Sequence, residues 1–323
     1  MKRLISVGIV FLMSFYIGNA LSQTTFPQKP VRLLVGFATG GFTDTVGRLV
    51  GQKLSVLWHE QVVVENRPGA NGLIAGEATS KSPPDGYTLF MSSAGLTTNP
   101  MLYSKKQRDP LLDFTAISLV SGIPNVLVTH PGVPVKNVRQ LLDLAKKQPG
   151  VLTQASAGMG SPGHLSGELL QQMSQVRFIH IPYKGSGPAL VDLLGGHIDL
   201  SFPSISACVP QVKAGQLRAI GVTMSKKSVL LPDVEPIGKT VPGYEVVGWY
   251  GVVGPAGMGA NITQKISRDI VSVVKMPEVQ DRLAREGAEP IGNNQDEFAR
   301  FIHEDHEKWS KVIKAAKIKP MDS

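Results

Sequence analysis

The fold of this chain is decided by two stretches, GFATGGFTD at residues 36–44 and ASAGMGSPGH at residues 155–164. Each follows a segment typical of a strand, Val31–Val35 or Leu152–Ser156, and each precedes apolar residues at helical spacing. Glycine lets the backbone turn sharply, and the start of a helix supplies unpaired N–H groups and a partial positive charge. The order strand, glycine loop, helix therefore occurs twice, and it predicts two α/β units that each carry an anion-binding loop.

The glycine loops also have a simpler interpretation, in which each is a tight turn and Thr43 or Asp44 is the N-cap of the helix that follows. His164, at the start of the second helix, would then make only a local hydrogen bond. One such loop in each half of the chain favours a shared anion site instead.

Strand and helix patterns alternate along the rest of the chain, which predicts an α/β fold with mainly parallel sheets. One unit extends to about residue 122 and a second occupies about 123–230. The tail, 231–323, returns to the first unit, because Tyr250–Val253 is a further predicted strand. We therefore expect a first lobe of residues 23–122 and 231–323 and a second lobe of residues 123–230. Two crossings between lobes allow a hinge, and the cleft between them is where a ligand is expected.

The first 22 residues have the pattern of a secretory signal peptide. Lys2 and Arg3 precede a mostly apolar segment, Leu4–Ile17, and small residues at 18–22 offer a cleavage site. An uncleaved membrane anchor is the alternative. The chain has one cysteine, which excludes an internal disulfide framework, and Cys208 lies in an apolar stretch that predicts a buried thiol. These features favour a periplasmic location.

The composition is that of a globular protein with a mild excess of positive charge. Of 323 residues, 42% are hydrophobic and 18% are charged, and the net charge is +8. The lysine pairs at 105–106, 146–147 and 226–227 lie far apart in sequence and have no interleaved aromatic residues. The sequence therefore predicts attraction of small anions and no nucleic-acid partner.

Three glycines, Gly158, Gly160 and Gly163, match the G-x-G-x-x-G pattern of dinucleotide-binding loops. That interpretation needs an acidic residue about 20 positions later, at the end of the next strand. The corresponding segment is Pro182-Tyr183-Lys184-Gly185, and a lysine does not hold a pair of ribose hydroxyls. The sequence therefore predicts no nucleotide cofactor.

Hydrolytic and metal sites are not indicated either. No G-x-S-x-G nucleophile motif is present. His303 and His306 are three residues apart on a charged helix, whereas a two-histidine zinc helix usually has a spacing of four. We interpret them as part of a solvated helix face, and we predict no catalytic residue, metal or other cofactor.

Several motifs together make the chain resemble the Bug proteins, the extracytoplasmic solute receptors of tripartite tricarboxylate transporters. The resemblance covers residues 26–319, and its motifs are GGFTD at 40–44, VENRPGA at 64–70, PDGYTL at 84–89, SAG at 156–158, HLSGE at 164–168, PYKG at 182–185 and PAG at 255–257. It implies a type II periplasmic-binding-protein fold, in which two Rossmann-like α/β lobes with a hinge close on a solute.

The resemblance also implies a function. It implies a monomeric, non-catalytic receptor that binds a carboxylated small molecule and delivers it to membrane permease subunits of the transporter. It assigns the binding site to residues of four loops, namely Thr39, Gly40, Gly41, Phe42, Thr43, Asp44, Ser93, Ala94, Gly95, Ala157, Gly158, Gly160, Ser161, His164, Tyr183, Lys184 and Gly185.

The chain departs from the family pattern at three places. Ala38-Thr39 stands where prolines are common, Phe42 where a small residue is common, and Pro203-Ser204 where a polar Asp-Asn pair is common. We hypothesise that Phe42, with Phe37, contacts an aromatic dicarboxylate such as terephthalate. In the alternative, both rings only pack. Two other functions also fit the fold: a receptor that signals to a membrane kinase, and an exported enzyme that uses the cleft.

Overall fold

The architecture was analysed in a computed structural model, which describes residues 26–103, 109–183, 185–318 and 320. The predicted signal peptide and Lys184 lie outside the described residues. Among the helices that the structure describes, none combines the length and apolar character that crossing a membrane requires.

The chain alternates strands and helices as the sequence predicts. The strands are β1 (Val31–Val35), β2 (Val62–Asn66), β3 (Thr88–Ser93), β4 (Phe114–Pro124), β5 (Val126–Thr129), β6 (Thr153–Ser156), β7 (Ile179–Pro182), β8 (Leu200–Ser201), β9 (Arg218–Val222), β10 (Val247–Pro255) and β11 (Glu289–Pro290). The helices are α1 (Phe42–Trp58), α2 (Leu73–Ser80), α3 (Gly95–Leu102), α4 (Val138–Lys147), α5 (Pro162–Ser174), α6 (Ser186–Leu194), α7 (Ile205–Lys213), α8 (Ala260–Val274), α9 (Pro277–Arg285) and α10 (Gln295–Ala315).

These elements form two sheets. The first has the order β11-β4-β10-β3-β1-β2 and the second has the order β7-β6-β8-β5-β9. Strands from the two ends of the chain thus share the first sheet, and Tyr250 of β10 pairs with Ser93 of β3, so the predicted return of the tail is confirmed. The exact lobe boundaries remain a prediction.

The expectation of mainly parallel sheets is wrong. Among the strands that the structure describes, parallel pairing joins β1 to β2 and β3, and β6 to β7 and β8. The strands on either side of the lobe crossings, β4 and β10 in the first sheet and β5 in the second, pair antiparallel with their neighbours. The reason is topological: the chain leaves the first sheet along β4 and returns along β10 at a neighbouring crossing, so these two strands run in opposite directions.

The two crossings lie side by side and are bonded to each other. Asn125, the residue between β4 and β5, donates its N–H to Thr223 Oγ1 at 2.9 Å. Thr223 N in turn donates to the carbonyl of Asn125 at 3.0 Å, and Val246 N donates to the carbonyl of Thr223 at 2.9 Å. A short bonded segment of this kind has the geometry of a hinge between two packed bodies.

Helix α10 connects the cores of both lobes. Its first half buries Phe298 and Ile302 under the first sheet, whereas Trp309 near its end packs in the cluster that contains Leu165 of α5. Between them, the buried carboxylate of Asp305 accepts hydrogen bonds from Thr97 Oγ1 and from the indole nitrogens of two tryptophans, Trp249 and Trp309. The helix therefore joins α3, the returning strand β10 and the second lobe.

Cys208 is confirmed as a buried side chain. It is 0% exposed, and burial raises the pKa of its thiol to about 12. A thiol with a raised pKa is a poor nucleophile, which agrees with a packing role.

A bidentate ion pair joins β1 to β2. Arg32 Nε and Nη2 donate to the two carboxylate oxygens of Glu65 at 2.6 and 2.9 Å. Hydrogen bonds from Arg32 hold the pKa of the Glu65 carboxyl below its usual value, against the opposing effect of partial burial.

The lowered pKa of Glu65 predicts a pH dependence of stability. Folding lowers this pKa, so the carboxylate stabilises the fold above its unfolded value of about 4.3, and that contribution is lost as pH falls toward the folded pKa. We expect Glu65→Gln to have a lower melting temperature than wild type at pH 7. The difference between the two melting temperatures should be smaller at pH 3. Thermal unfolding across this range, with Glu304→Gln on the exposed face of α10 as control, tests the prediction. A gap that is constant with pH would contradict it.

Candidate functional site

A cleft of about 660 Å³ lies between the two sheets and is lined by residues of both lobes. Its polar lining comes from side-chain hydroxyls and amides, namely those of Thr43, Asn71, Ser93, Tyr103, Asn125, Ser156, Ser161, Ser186, Ser201, Ser204 and Tyr250. Among the described residues that line it, none carries an Asp, Glu, Lys, Arg or His side chain. The cleft therefore presents dipoles rather than full charges.

Four helices begin at this cleft. Gly41 is the N-cap of α1, Ser161 of α5, Gly185 of α6 and Ser204 of α7, and all four line the cleft. Only the Ser161 side chain caps its own helix. Each helix start contributes unpaired N–H groups and about half a positive charge, so the summed field in an otherwise uncharged cleft favours an anion.

The first glycine loop, residues 39–44, is called the first cradle below. Gly41, Phe42 and Thr43 line the cleft. Asp44 is turned inward, where its carboxylate accepts hydrogen bonds from Gly40 N at 3.0 Å and Asn66 Nδ2 at 2.8 Å.

The bonds to Asp44 also set its charge state. Burial acts to raise the pKa of Asp44, but hydrogen bonds from Arg48, Gly40 and Asn66 outweigh it and the pKa is lowered. Thr39 Oγ1 lies 3.3 Å from Asn66 Oδ1. Thr39, Gly40 and Asp44 therefore do not line the cleft; their hydrogen bonds hold the first cradle in shape.

The second glycine loop, residues 156–163, is called the second cradle. Ser156, Ala157, Gly158 and Ser161 line the cleft. Gly158 has φ +129°, a conformation that side chains rarely adopt, and its carbonyl accepts a 2.7 Å hydrogen bond from Ser161 Oγ. The glycine is required here because no other residue turns the backbone in this direction without strain.

The residues after β7 close one side of the second cradle. Tyr183 N donates to the carbonyl of Ser156, and Gly185 N donates to that of Ala157. Gly185 lines the cleft. The Tyr183 hydroxyl instead donates to Asp192 at 2.6 Å, which raises the pKa of Tyr183 to about 12. Lys184 lies outside the described residues.

Four other predicted site residues lie behind the lining. His164 is 1% exposed, and Gly160 is packed so closely that an added Cβ would meet Leu102. Ala94 and Gly95 follow Ser93, which lines the cleft. A Cβ on Gly95 would overlap the carbonyl oxygen of Asn71, so this glycine serves close packing. The structure thus brings eight of the predicted residues to the cleft, namely Gly41, Phe42, Thr43, Ser93, Ala157, Gly158, Ser161 and Gly185.

Sequence reasoning missed several lining residues. Tyr250 of β10 lies in the cleft with its ring 4.9 Å from that of Phe42. Burial raises the pKa of Tyr250 to about 12, against a hydrogen bond with Thr43. Asn125 enters from the hinge, where its side chain donates to the carbonyl of Phe202 at 2.7 Å. Neither residue belongs to a glycine loop, so only the pairing of distant strands places them here.

Asn71 was also missed, and it connects the lobes. It lies in a run of four residues with positive φ, from Gly69 to Gly72. Its Nδ2 lies 3.3 Å from the carbonyl oxygen of Gly160 in the second cradle. Positive φ at a non-glycine residue is costly, and such strain is concentrated at functional positions.

His303 and His306 differ in their surroundings. His303 is exposed and 3.4 Å from Glu307, whereas His306 Nδ1 lies 2.8 Å from the carbonyl oxygen of Thr97. The predicted solvated face therefore holds for His303 only. In the described ranges, no three His, Cys, Asp or Glu side chains are grouped to hold a metal ion.

Comparison with known proteins places this geometry in context. The family model for the tripartite tricarboxylate transporter family receptor matches residues 46–318. The protein BugT of Bordetella pertussis is 33% identical over 328 residues, which cover 99% of this chain and 99% of that protein.

Two solved structures resemble the chain over nearly its whole length. Rpa4515 of R. palustris, solved with adipate, superimposes with a TM-score of 0.83 at 34% identity and covers 92% of this chain and 100% of its own. MatC of Rhodopseudomonas palustris, with bound malate, has a TM-score of 0.79 at 29% identity and covers 89% of this chain and 100% of its own. The two-lobe fold is thereby confirmed.

Proposed function

Because the chain belongs to the tripartite tricarboxylate transporter receptor family, we propose that it is a periplasmic receptor that captures a small dicarboxylate and delivers it, unaltered, to permease subunits in the membrane. The observation that carries this proposal is the cleft itself: four helix N-termini converge on a lining that has no charged side chain in its described part.

Two cradles on opposite lobes explain how binding drives closure. A carboxylate that accepts hydrogen bonds from N–H groups of the first cradle has further lone pairs, and these can accept hydrogen bonds from the second cradle. Charge-assisted bonds to N–H groups are about twice as strong as neutral ones. Because only the closed form satisfies donors on both lobes, the anion shifts the population toward closure. In this proposal the receptor acts as a monomer.

The described lining holds two tyrosines but no carboxylate, imidazole or amine, and the pKa of Tyr250 is raised to about 12, which supports a receptor rather than an enzyme. General acid–base catalysis needs a titratable group within hydrogen-bond reach of the substrate. The side chains of Asp44, in the first cradle, and of His164, which follows the second cradle, lie outside the cleft lining and are hydrogen-bonded to neighbouring groups.

Relatives point to the substrate class. Rpa4515 was solved with adipate and MatC with malate, which are dicarboxylates of different length. The cleft of this chain has an aromatic wall, because Phe37, Phe42 and Tyr250 all line it. We infer that the wall widens the accepted class to aromatic dicarboxylates such as terephthalate.

Isothermal titration calorimetry with adipate, malate, terephthalate, benzoate and neutral adipamide tests the proposed function. We expect binding of at least one dicarboxylate and no binding of adipamide, since the amide lacks charge. Equal binding of adipate and adipamide, or turnover of any bound acid, would contradict the proposal. Co-purification with membrane permease subunits, rather than with a sensor kinase, tests delivery.

The aromatic wall gives a separate prediction. We expect Phe42→Leu to weaken terephthalate binding about tenfold, since an aromatic pair contributes about 0.5–1.5 kcal/mol beyond burial. Adipate binding should change by less than about threefold, because an aliphatic chain packs equally on leucine. Calorimetry of both ligands with wild type and variant decides this. Equal losses for the two acids would assign Phe42 to packing alone.

A further inference from the structure

Two histidines, His164 buried and His180 half-buried, lie behind the second cradle, outside the cleft lining. His164 of α5 and His180 of β7 stack with ring centroids 4.0 Å apart and an interplanar angle of 19°. His164 is 1% exposed, so its ring is out of reach of a solute in the cleft. Both rings nevertheless contact groups of the second cradle.

His164 holds the cradle through a hydrogen bond that specifies its tautomer. Gly160 N donates to His164 Nδ1 at 3.0 Å, so Nδ1 must carry a lone pair. The proton of a neutral ring then lies on Nε2, which is 3.5 Å from Glu168 Oε1. Protonating Nδ1 would place one N–H against another and break the bond to Gly160.

His180 reaches the same loop through a serine. Its Nε2 lies 2.7 Å from Ser156 Oγ. That oxygen accepts the N–H of Gly158 at 3.1 Å and also lies 3.1 Å from the Gly158 carbonyl. His164 thus holds Gly160 and His180 holds Ser156, so the two rings support the second cradle at two points. Ser156 and Gly158 both line the cleft.

The surroundings of His180 disfavour its charged form. Burial, and secondarily the neighbouring His164, lower the pKa of His180 to about 3. The other titratable group that faces the pair is Glu168, on α5 itself; Ser156 approaches His180 from β6. Two imidazolium ions 4.0 Å apart would repel each other strongly in a buried site.

We propose that His164 is a positioning residue for the second cradle: its Nδ1 accepts the N–H of Gly160, and the stack on His180 fixes the orientation of its ring. The cradle then has its anion-binding shape only while His164 Nδ1 accepts the bond from Gly160. The binding experiments for this inference rest on the proposed function, because they measure the affinity for a dicarboxylate. The tautomer experiment does not depend on that function.

The tautomer is tested first, on unmodified protein. The ring nitrogens of ¹⁵N-histidine protein report by NMR which nitrogen carries the proton. We expect His164 to be the Nε2–H tautomer at pH 7, with and without adipate. An Nδ1–H tautomer or an imidazolium at pH 7 would overturn the proposal, whatever ligand the cleft binds.

Binding variants test the positioning role. His164→Leu removes the acceptor, and we expect adipate affinity to fall about tenfold, the effect of an unpaired buried N–H. His164→Asn places an oxygen near the position of Nδ1 and should restore affinity to within about threefold of wild type. His130→Leu is the matched control, because His130 Nδ1 accepts the N–H of Gly132 at 3.1 Å in a loop outside the cleft lining. Equal affinity of the Leu and Asn variants would reject the positioning role.

A pH profile separates positioning from packing. As pH falls, wild type should lose adipate affinity faster than His164→Asn, since an added proton on Nδ1 would break the bond from Gly160 and the asparagine oxygen takes no such proton. The ratio of the two affinities cancels the titration of adipate itself. A ratio that is constant with pH would contradict the proposal, whereas absence of adipate binding in every variant would contradict the proposed function instead.

Discussion

Ser161→Asp is expected to lower the affinity for adipate by at least about 100-fold. Ser161 is the N-cap of α5, where its Oγ accepts the N–H of His164 at 3.3 Å. Aspartate is an equally good N-cap, so the helix should be retained. Its carboxylate, however, would add a negative charge to the second cradle. At a separation of about 6 Å, two like charges repel by about 3 kcal/mol at an effective dielectric constant of 20.

Ser161→Asn is the matched control for that experiment. Asparagine keeps the capping oxygen and the size of aspartate without its charge. We expect its adipate affinity to stay within about tenfold of wild type, the cost of disturbing the bond from Ser161 to the Gly158 carbonyl. Calorimetry and thermal unfolding of both variants are the measurements. If the aspartate variant bound adipate as tightly as wild type, the second cradle would not be part of the anion site.

Gly158→Pro is expected to abolish detectable binding. Gly158 has φ +129°, whereas proline is restricted to about −65°, so the loop must take another path. The substitution also removes the N–H that donates to Ser156 Oγ at 3.1 Å. Because the second cradle is built around this turn, its loss should cost at least about 100-fold in affinity, from a backbone penalty of about 3 kcal/mol.

The control for Gly158→Pro is Gly215→Pro, in the turn after α7. Gly215 has φ +71° and donates its N–H to the Val212 carbonyl, so proline is equally incompatible there, but the residue is outside the cleft lining. We expect both variants to melt at lower temperature and only Gly158→Pro to lose adipate. Loss of binding in both would indicate a general effect of destabilisation rather than a site at the second cradle.

Local sequence patterns predicted most elements near the cradles. The predicted strand Val31–Val35 has the bounds observed, and the helix predicted from His164 begins two residues earlier, at Pro162. Helices α2, α3, α4 and α7 were missed. In α3 and α7 a proline lies inside the helix, at Pro100 and Pro210, which weakens the local helix pattern.

From the sequence, all the predicted residues of each loop were assigned to the binding site in the same way. The structure distinguishes those that line the cleft from those that support the loop. Gly41 has φ −75°, which other residues adopt, whereas Gly158 is in a conformation that favours glycine. Asp44 is turned toward Asn66 and His164 toward Gly160, so both support the cradles from behind. Such differences depend on the neighbours of each side chain, which lie many residues away or on the next turn.

By itself, the sequence determined the two glycine loops, the helix starts that follow them and the family, because turns, caps and motifs depend on residues within four or five positions of one another. Only the tertiary structure decided that β4 and β10 pair antiparallel at the crossings, that Tyr250 and Asn125 enter the cleft, and that Asn71 contacts Gly160. These contacts join residues from 89 to more than a hundred positions apart. Their geometry is set by the packing of two sheets around a shared hinge, which a local pattern does not encode.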